Sequence, residues 1–356
     1  MKTKSEFKKV LFFKLGAIGD TLMTTPLVRQ VRKNFKNVQI DYLIGKTSAP
    51  VLENNSNISN IITFDEMIFV KKKIFEWIKL IKLIKEKKYD LIFVLDKHRI
   101  FNLTAKLFRI KRRVGFDRLG KEGIFLTDKV YYGKIRHEIY CYLDLAKEIG
   151  LKVNYKDTKM DIFLSDKDKR FANEFWKKHK LNDKKVIAVC PGGSKNYADS
   201  RMIKRIPLNV LIKVIKSLII KKIKVVLIGG QTDKELEEDL LEKGLSKNKK
   251  DNLKNTKEYV VSAIGKITLK QSAAILEKCN IVICNDSGPM HLAASVNKNI
   301  IAIFGPTNPT KFAPLLKQSK YVWKSDLYDP KEELFGKYKK KDYFVNLKSE
   351  EIIKLI

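Results

Sequence analysis

The run Ile281-Val282-Ile283-Cys284-Asn285-Asp286-Ser287-Gly288-Pro289-Met290-His291-Leu292-Ala293-Ala294 carries a short apolar strand into a polar turn and then into a helix. Strand, turn and helix in this order are the repeating step of a parallel sheet covered by helices. Ser287 and Gly288 stand where the helix begins, so their backbone donors and the positive end of the helix dipole form an arrangement that holds a diphosphate. His291 lies on the first turn of that helix, where it could donate to a phosphate. A lone histidine is more often a satisfied core residue. Here the neighbouring carboxylate of Asp286 and the next strand-turn, Phe304-Gly305-Pro306-Thr307, converge on one sheet edge, which favours a ligand site.

Outward from that unit the same alternation occurs twice. Residues 10–15, 39–44 and 91–95 read as strands in the first half, with a helix over 24–34, and residues 186–190, 224–228, 281–284 and 300–304 read as strands in the second. The fold class is therefore α/β, with two doubly wound Rossmann-like domains over 1–165 and 166–340, joined near the Asp- and Lys-rich stretch 165–169. A closing tail, 341–356, ends in a helix capped by Ser349 and is expected to pack back on the first domain. At 356 residues, two domains are the default, since single cores stop growing beyond roughly 250 to 300 residues. There is no convincing tandem repeat.

The 73 Lys and Arg against 40 Asp and Glu leave a formal charge of +33. Such a surface attracts polyanions without choosing among nucleic acid, an anionic membrane, a phosphorylated glycolipid and a nucleotide, and a lysine-rich source composition gives the same excess. No recognition helix, zinc finger or aromatic ribonucleoprotein signature accompanies the charge, so no nucleic-acid partner is expected. The four cysteines form no CxxC pair and read as buried thiols. No stretch approaches the roughly 18 apolar residues of a membrane span, which places the protein in the cytoplasm. Residues 71–88 interleave isoleucines with lysines at helical spacing; the ordinary reading is a surface helix, the sharper one a face that meets a membrane.

Two further turns carry candidate chemistry. Gly16-Ala17-Ile18-Gly19-Asp20 follows the first strand, and its spacing is not that of GxGxxG, so a dinucleotide site is unsupported; on spacing alone Asp20 reads as a helix cap. In the second half Pro191-Gly192-Gly193-Ser194 follows a strand, and Lys204-Arg205-Ile206-Pro207 precedes a helix. Two cations at a helix start oppose the dipole, so an anion between them would explain the arrangement. Ligands bind doubly wound sheets at the carboxyl ends of the strands, where all these turns fall. Sheets facing a cleft would put Asp20 opposite the second domain's phosphate loop. The histidines at 98, 137, 179 and 291 are dispersed and form no metal-ligand set.

In this order the motifs GxxGD, PGG, Lys-x-x-Pro, D-S-G-P-M-H-L-A-A and F-G-P-T resemble glycosyltransferase family nine, the ADP-heptose:lipopolysaccharide heptosyltransferase family, over nearly the whole chain. The resemblance implies a GT-B fold and inverting, metal-independent transfer of a sugar, heptose from ADP-heptose, to a hydroxyl of a lipopolysaccharide-core or related surface-glycan acceptor. It implies no cofactor beyond that nucleotide-sugar co-substrate. Asp20 matches the general base. Ser194, Lys204, Asp286, Ser287, Gly288 and His291 match the donor-binding positions, and Gly19, His98 and Arg99 fall on the acceptor side. Ile206 stands where the family carries Trp. The basic cluster 109–113 fits a phosphorylated glycolipid acceptor, equally a solvated charge run, and such an acceptor implies peripheral contact with the anionic inner-membrane surface. After the strand at 224–228, Asp233 meets the family's nucleoside-side acidic position only with a shift. The alternatives are a GT-B nucleotide-sugar 2-epimerase, which needs no acceptor, and a non-catalytic anionic-lipid or nucleic-acid binding protein, whose binding would be indifferent to Asp20 and Asp286.

Overall fold

Short runs rich in Val, Ile and Phe form strands buried on both faces, the pattern of parallel sheets covered by helices. In a computed structural model that describes residues 7–193, 203–245 and 256–356, the chain divides into two compact units, Met1–Phe163 and Leu164–Ile356. The first holds β1 (Lys9–Lys14), β2 (Gln39–Gly45), β3 (Asn60–Phe64), β4 (Leu91–Val94), β5 (Arg112–Arg118) and β6 (Asp128–Tyr132), in the order β3-β2-β1-β4-β5-β6 and parallel throughout. The second holds β7 (Val186–Cys190), β8 (Lys224–Leu227), β9 (Val260–Ser262), β10 (Ile281–Asn285), β11 (Ile300–Phe304) and β12 (Lys320–Trp323), ordered β12-β11-β10-β7-β8-β9 and again parallel. One strand order is thus used twice in a chain without a visible tandem repeat. The order reverses between β1 and β4 in one sheet and between β7 and β10 in the other, and those switch points are where such sheets bind ligands.

The first helix, Ile18–Asn34, begins six residues before the expected 24–34. Its threonines explain the difference. Thr21, Thr24 and Thr25 donate their hydroxyls to the carbonyls of Ala17, Thr21 and Leu22 at 2.8, 2.7 and 2.8 Å, so polar residues that look like turn formers are satisfied inside the helix. Leu22 is four residues before Pro26, which has no N–H for that carbonyl, and the Thr25 hydroxyl supplies the missing donor.

Strands β3, β5, β6, β9 and β12 were not apparent in the sequence. Most are partly exposed and several carry charges, as at both ends of β5. The segment before the second unit is tied to the first helix by Arg29, which pairs with Asp157 at 2.7 Å and with Asp161. The joint is a capping box: Ser165 Oγ accepts from Asp168 N at 3.2 Å and Asp168 Oδ2 from Ser165 N at 2.9 Å, opening the helix Asp166–Lys178.

The closing tail corrects an expectation. Instead of returning to the first domain, its Tyr343, Phe344, Leu347 and Ile352 are buried in the second unit's core with Leu211, Val214 and Leu227, because they form an apolar face that the helix Leu208–Ile220 covers. Ser349 is the first helical residue rather than the cap; the Glu351 carboxylate accepts from Lys348 N at 2.8 Å at that end. All four cysteines are buried and free. Among the described residues no helix is long and apolar enough to cross a membrane.

Candidate functional site

At the first switch point, β1 runs into Gly16, whose φ of +151° disfavours any side chain and whose added Cβ would lie 3.1 Å from Ser48 Oγ. Ala17 precedes the helix and no side chain caps it. Asp20 therefore sits in the first helical turn, not at the cap that its spacing suggested, and its half-exposed carboxylate is left for other partners. Behind it lies Lys14, buried at the end of β1, 3.9 Å from Asp20 and 2.7 Å from Asp96. Asp96 also accepts from Leu15 N at 2.6 Å. Burial opposes the Lys14 charge, but Asp96 and then Asp20 outweigh it and raise the lysine pKa above its ordinary value, so a fixed cation stands beside the Asp20 carboxylate. Gly19 is buried in the same turn.

After β4, Lys97 Nζ lies 2.6 Å from the buried Glu138 carboxylate and 4.7 Å from the Tyr132 ring centre, with Phe116 and Tyr142 at 5.6 and 5.3 Å. The Tyr132 hydroxyl donates to the other Glu138 oxygen. Burial again works against the charge, and Glu138 reverses it, raising the Lys97 pKa. His98 and Arg99 come to the same carboxyl edge and are exposed there. His98 caps the helix Arg99–Leu107, its Nδ1 accepting from Ile100 N at 3.3 Å. Arg99 N donates to Glu122 at 2.6 Å.

The basic cluster 109–113 is on the wrong edge for an acceptor at Asp20. It precedes and opens β5, which puts it at the amino ends of the strands, and it is engaged internally: Arg112 pairs with Asp128 at 2.9 Å, and Arg113 donates to the carbonyls of Phe125 and Ile110.

The second switch point gathers the donor candidates. Asp286, at the end of β10, is buried and accepts from Lys204 Nζ and from Thr307 Oγ1, both at 2.7 Å. Burial pushes its pKa up, but Lys204, followed by His291, overrides this and holds it below the usual aspartate range. Ser287 precedes the helix Gly288–Val296, whose amino end opens beside this pair, and His291 is buried in it. Lys204 Nζ lies 5.7 Å from the Phe312 ring centre.

The anion expected between Lys204 and Arg205 is supplied by the chain itself, since Arg205 pairs with the buried Asp233 at 2.8 Å. Asp233 is not a free nucleoside contact; its carboxylate also accepts from Gly193 N at 3.3 Å and Gly230 N at 2.9 Å and so ties the Pro191-Gly192-Gly193 loop in place. A Cβ on Gly192 would meet that carboxylate at 2.1 Å, and one on Gly193, at φ +95°, would meet Ser287 at 2.7 Å. Gly192 lets this loop close on Asp233, and Gly193 lets it close on the helix start at Ser287. Ser194 lies outside the described residues.

Several residues of the site escaped the sequence reading. Lys14 and Lys97 had a weak signal, a lysine at or shortly after the carboxyl end of an apolar strand. Half-buried Tyr338, just before the tail, had none: burial raises its pKa above the ordinary value against the opposing charge of Lys204. Asn285 is buried with neither amide atom hydrogen-bonded, directly before Asp286.

The family model for glycosyltransferase family 9 (heptosyltransferase) matches residues 77–340. The chain is 25% identical to lipooligosaccharide heptosyltransferase 2 of Haemophilus ducreyi over 327 residues, covering 88% of each. It superposes on the crystal structure of a family 9 glycosyltransferase from Veillonella parvula with a TM-score of 0.80 at 24% identity, covering 100% of this chain and 97% of that one. On Escherichia coli heptosyltransferase WaaC with ADP the TM-score is 0.68 at 17% identity, covering 97% and 98%. With two parallel Rossmann-like sheets of GT-B type and a match over most of its length, the chain belongs to glycosyltransferase family 9 and is a glycosyltransferase.

Proposed function

We propose that the protein is an inverting, metal-independent heptosyltransferase that moves heptose from ADP-heptose to a hydroxyl of a lipopolysaccharide-core or related surface glycan. The observation that carries this reading is the Lys204 ammonium, held by Asp286, whose carboxylate also accepts from Thr307, beside the amino end of the helix Gly288–Val296. A cation and a helix terminus together form a site for a diphosphate. The names of the relatives supply the sugar and the nucleotide: a heptosyltransferase and a related enzyme with ADP.

In the transfer, the acceptor oxygen forms a bond to the anomeric carbon as the bond to the donor diphosphate breaks, and a single displacement inverts that carbon. An ionised aspartate can take the hydroxyl proton, the role given to Asp20. The departing ADP gains charge, which Lys204, His291 and the helix amides stabilise in place of a divalent ion. An acceptor built on a lipid would place this chemistry at an anionic membrane surface.

The test is transfer of heptose from ADP-heptose to a heptose-free acceptor, assayed in EDTA with the anomeric configuration of the product determined. Transfer with inversion is expected, and Asp20→Asn should lower kcat by roughly 10² to 10⁴ at unchanged melting temperature. Dependence on a divalent ion, product release without acceptor, or wild-type turnover of Asp20→Asn would each refute the part it addresses.

A further inference from the structure

β3 ends at Phe64 on the same carboxyl edge as Asp20, and the chain then passes through a short helix, Met67–Val70, and a lysine turn into the helix Ile74–Glu86, which runs back towards the start of β4. The inner side of this second helix is anchored: Leu80 and Ile84 are buried, and Trp77 Nε1 donates to Thr104 Oγ1 at 3.0 Å. The outer side is apolar where a soluble surface would be polar. Phe75 is 80% exposed, Ile74 63%, Ile78 54% and Val70 41%. These four cluster at the start of the helix, near the edge that carries Asp20, and Lys71, Lys72, Lys79 and Lys82 stand exposed among them. Between residues 71 and 88 there are eight lysines and two glutamates, Glu76 and Glu86.

We infer that this face docks the protein on an anionic phospholipid bilayer. An apolar tip ringed by lysines matches an interface of acyl chains beneath negative headgroups: the rings and branched chains enter the boundary, and the long lysine stems lie along it with their ammonium groups at the phosphates. A second protein surface of ordinary composition offers no such negative layer above an apolar one. The location gives the contact its purpose. An acceptor anchored in the same bilayer is presented to the carboxyl edge of the first sheet, where Asp20 lies; in this respect the inference deepens the proposed glycolipid acceptor and rests on it.

The experiment is co-sedimentation of the full chain with phosphatidylcholine vesicles, with and without phosphatidylglycerol. Salt-sensitive binding is expected only to the phosphatidylglycerol vesicles, and Phe75→Glu/Ile78→Glu and Lys71→Glu/Lys72→Glu should each weaken it by about tenfold or more. All four positions are exposed, so the melting temperatures should hold. Phe75→Trp adds a readout that loses nothing, a blue shift of emission when anionic vesicles are added. Undiminished binding by both double variants, no preference for phosphatidylglycerol, or a wild-type dimer that Phe75→Glu/Ile78→Glu dissociates while vesicle binding persists would overturn the inference. Transfer to a delipidated acceptor separates the two proposals. If the double variants lose vesicle binding but keep that transfer, both stand; if the wild type binds vesicles as described yet transfers nothing, docking stands and the heptosyltransferase reading fails.

Discussion

Lys204 and Asp286 show how single residues are read differently once their partners are known. Each was expected to face the donor, and each is paired with the other, so Asp286 holds the ammonium beside the amino end of the helix Gly288–Val296. The folded Asp286 pKa lies below its unfolded value, because Lys204 and then His291 override burial. A depressed carboxylate stabilises the fold above its unfolded pKa, about 3.9, and loses that contribution as the pH falls through the folded value. Lys204→Ala removes the largest opposing charge and leaves burial in control, so the Asp286 pKa should rise and its contribution change sign. The variant should be less stable than wild type by about 3 kcal/mol at pH 7, with the gap shrinking as the pH falls first through the variant's raised Asp286 pKa and then towards the lowered wild-type one, and it should bind ADP more weakly. Denaturant unfolding over that pH range, with calorimetry of ADP binding, measures this; a gap that does not change with pH would remove the pair from the account.

Among the elements, the two glycine turns of the second unit matter most, because each brings backbone up to a functional side chain. Gly193 combines a left-handed backbone with a contact that leaves no room for a methyl group beside Ser287. Gly193→Ala should push the Pro191-Gly192-Gly193 loop away from the helix start and weaken ADP binding by roughly tenfold or more, with strain of about 1–3 kcal/mol. Gly120→Ala is the control: φ is +72° there, but a Cβ would meet nothing within 4 Å, so stability should fall while ADP affinity holds. Equal ADP affinity in both variants would show that closure of the loops on each other is irrelevant to the nucleotide. The tail is a further support for this edge, since Gly305 lies so near the Phe344 ring that a Cβ would meet it at 2.7 Å.

For the molecule as a whole, each unit carries its own core and its own switch point. A nucleotide held by the second unit should stabilise that unit by about 2.7 kcal/mol at one hundred times its Kd. Hydrogen exchange with and without ADP should accordingly show slower exchange at 186–193 and 285–296 and unchanged exchange in β1–β6. Protection confined to the first sheet would place the nucleotide in the wrong unit. The net charge of +33 adds a long-range attraction for anions that is independent of either site.

The sequence by itself determined the α/β class, both sheets' central strands, the glycine turns at their carboxyl ends and the helix start at Asp286–His291. These are local properties: an apolar run, a glycine and a helix opening are specified by neighbouring residues. Only the tertiary structure decided where the charges go. Arg112 was legible as a cation but not as the partner of Asp128, and Asp233 was legible as an acid but not as the tether of Arg205 and the Gly193 loop. Lys14 is a lysine at the end of an apolar strand whose counter-charge, Asp96, lies 82 positions away. A buried ion is stable only beside its partner, and that partner is set by strand order and register, which bring together residues that no local pattern connects.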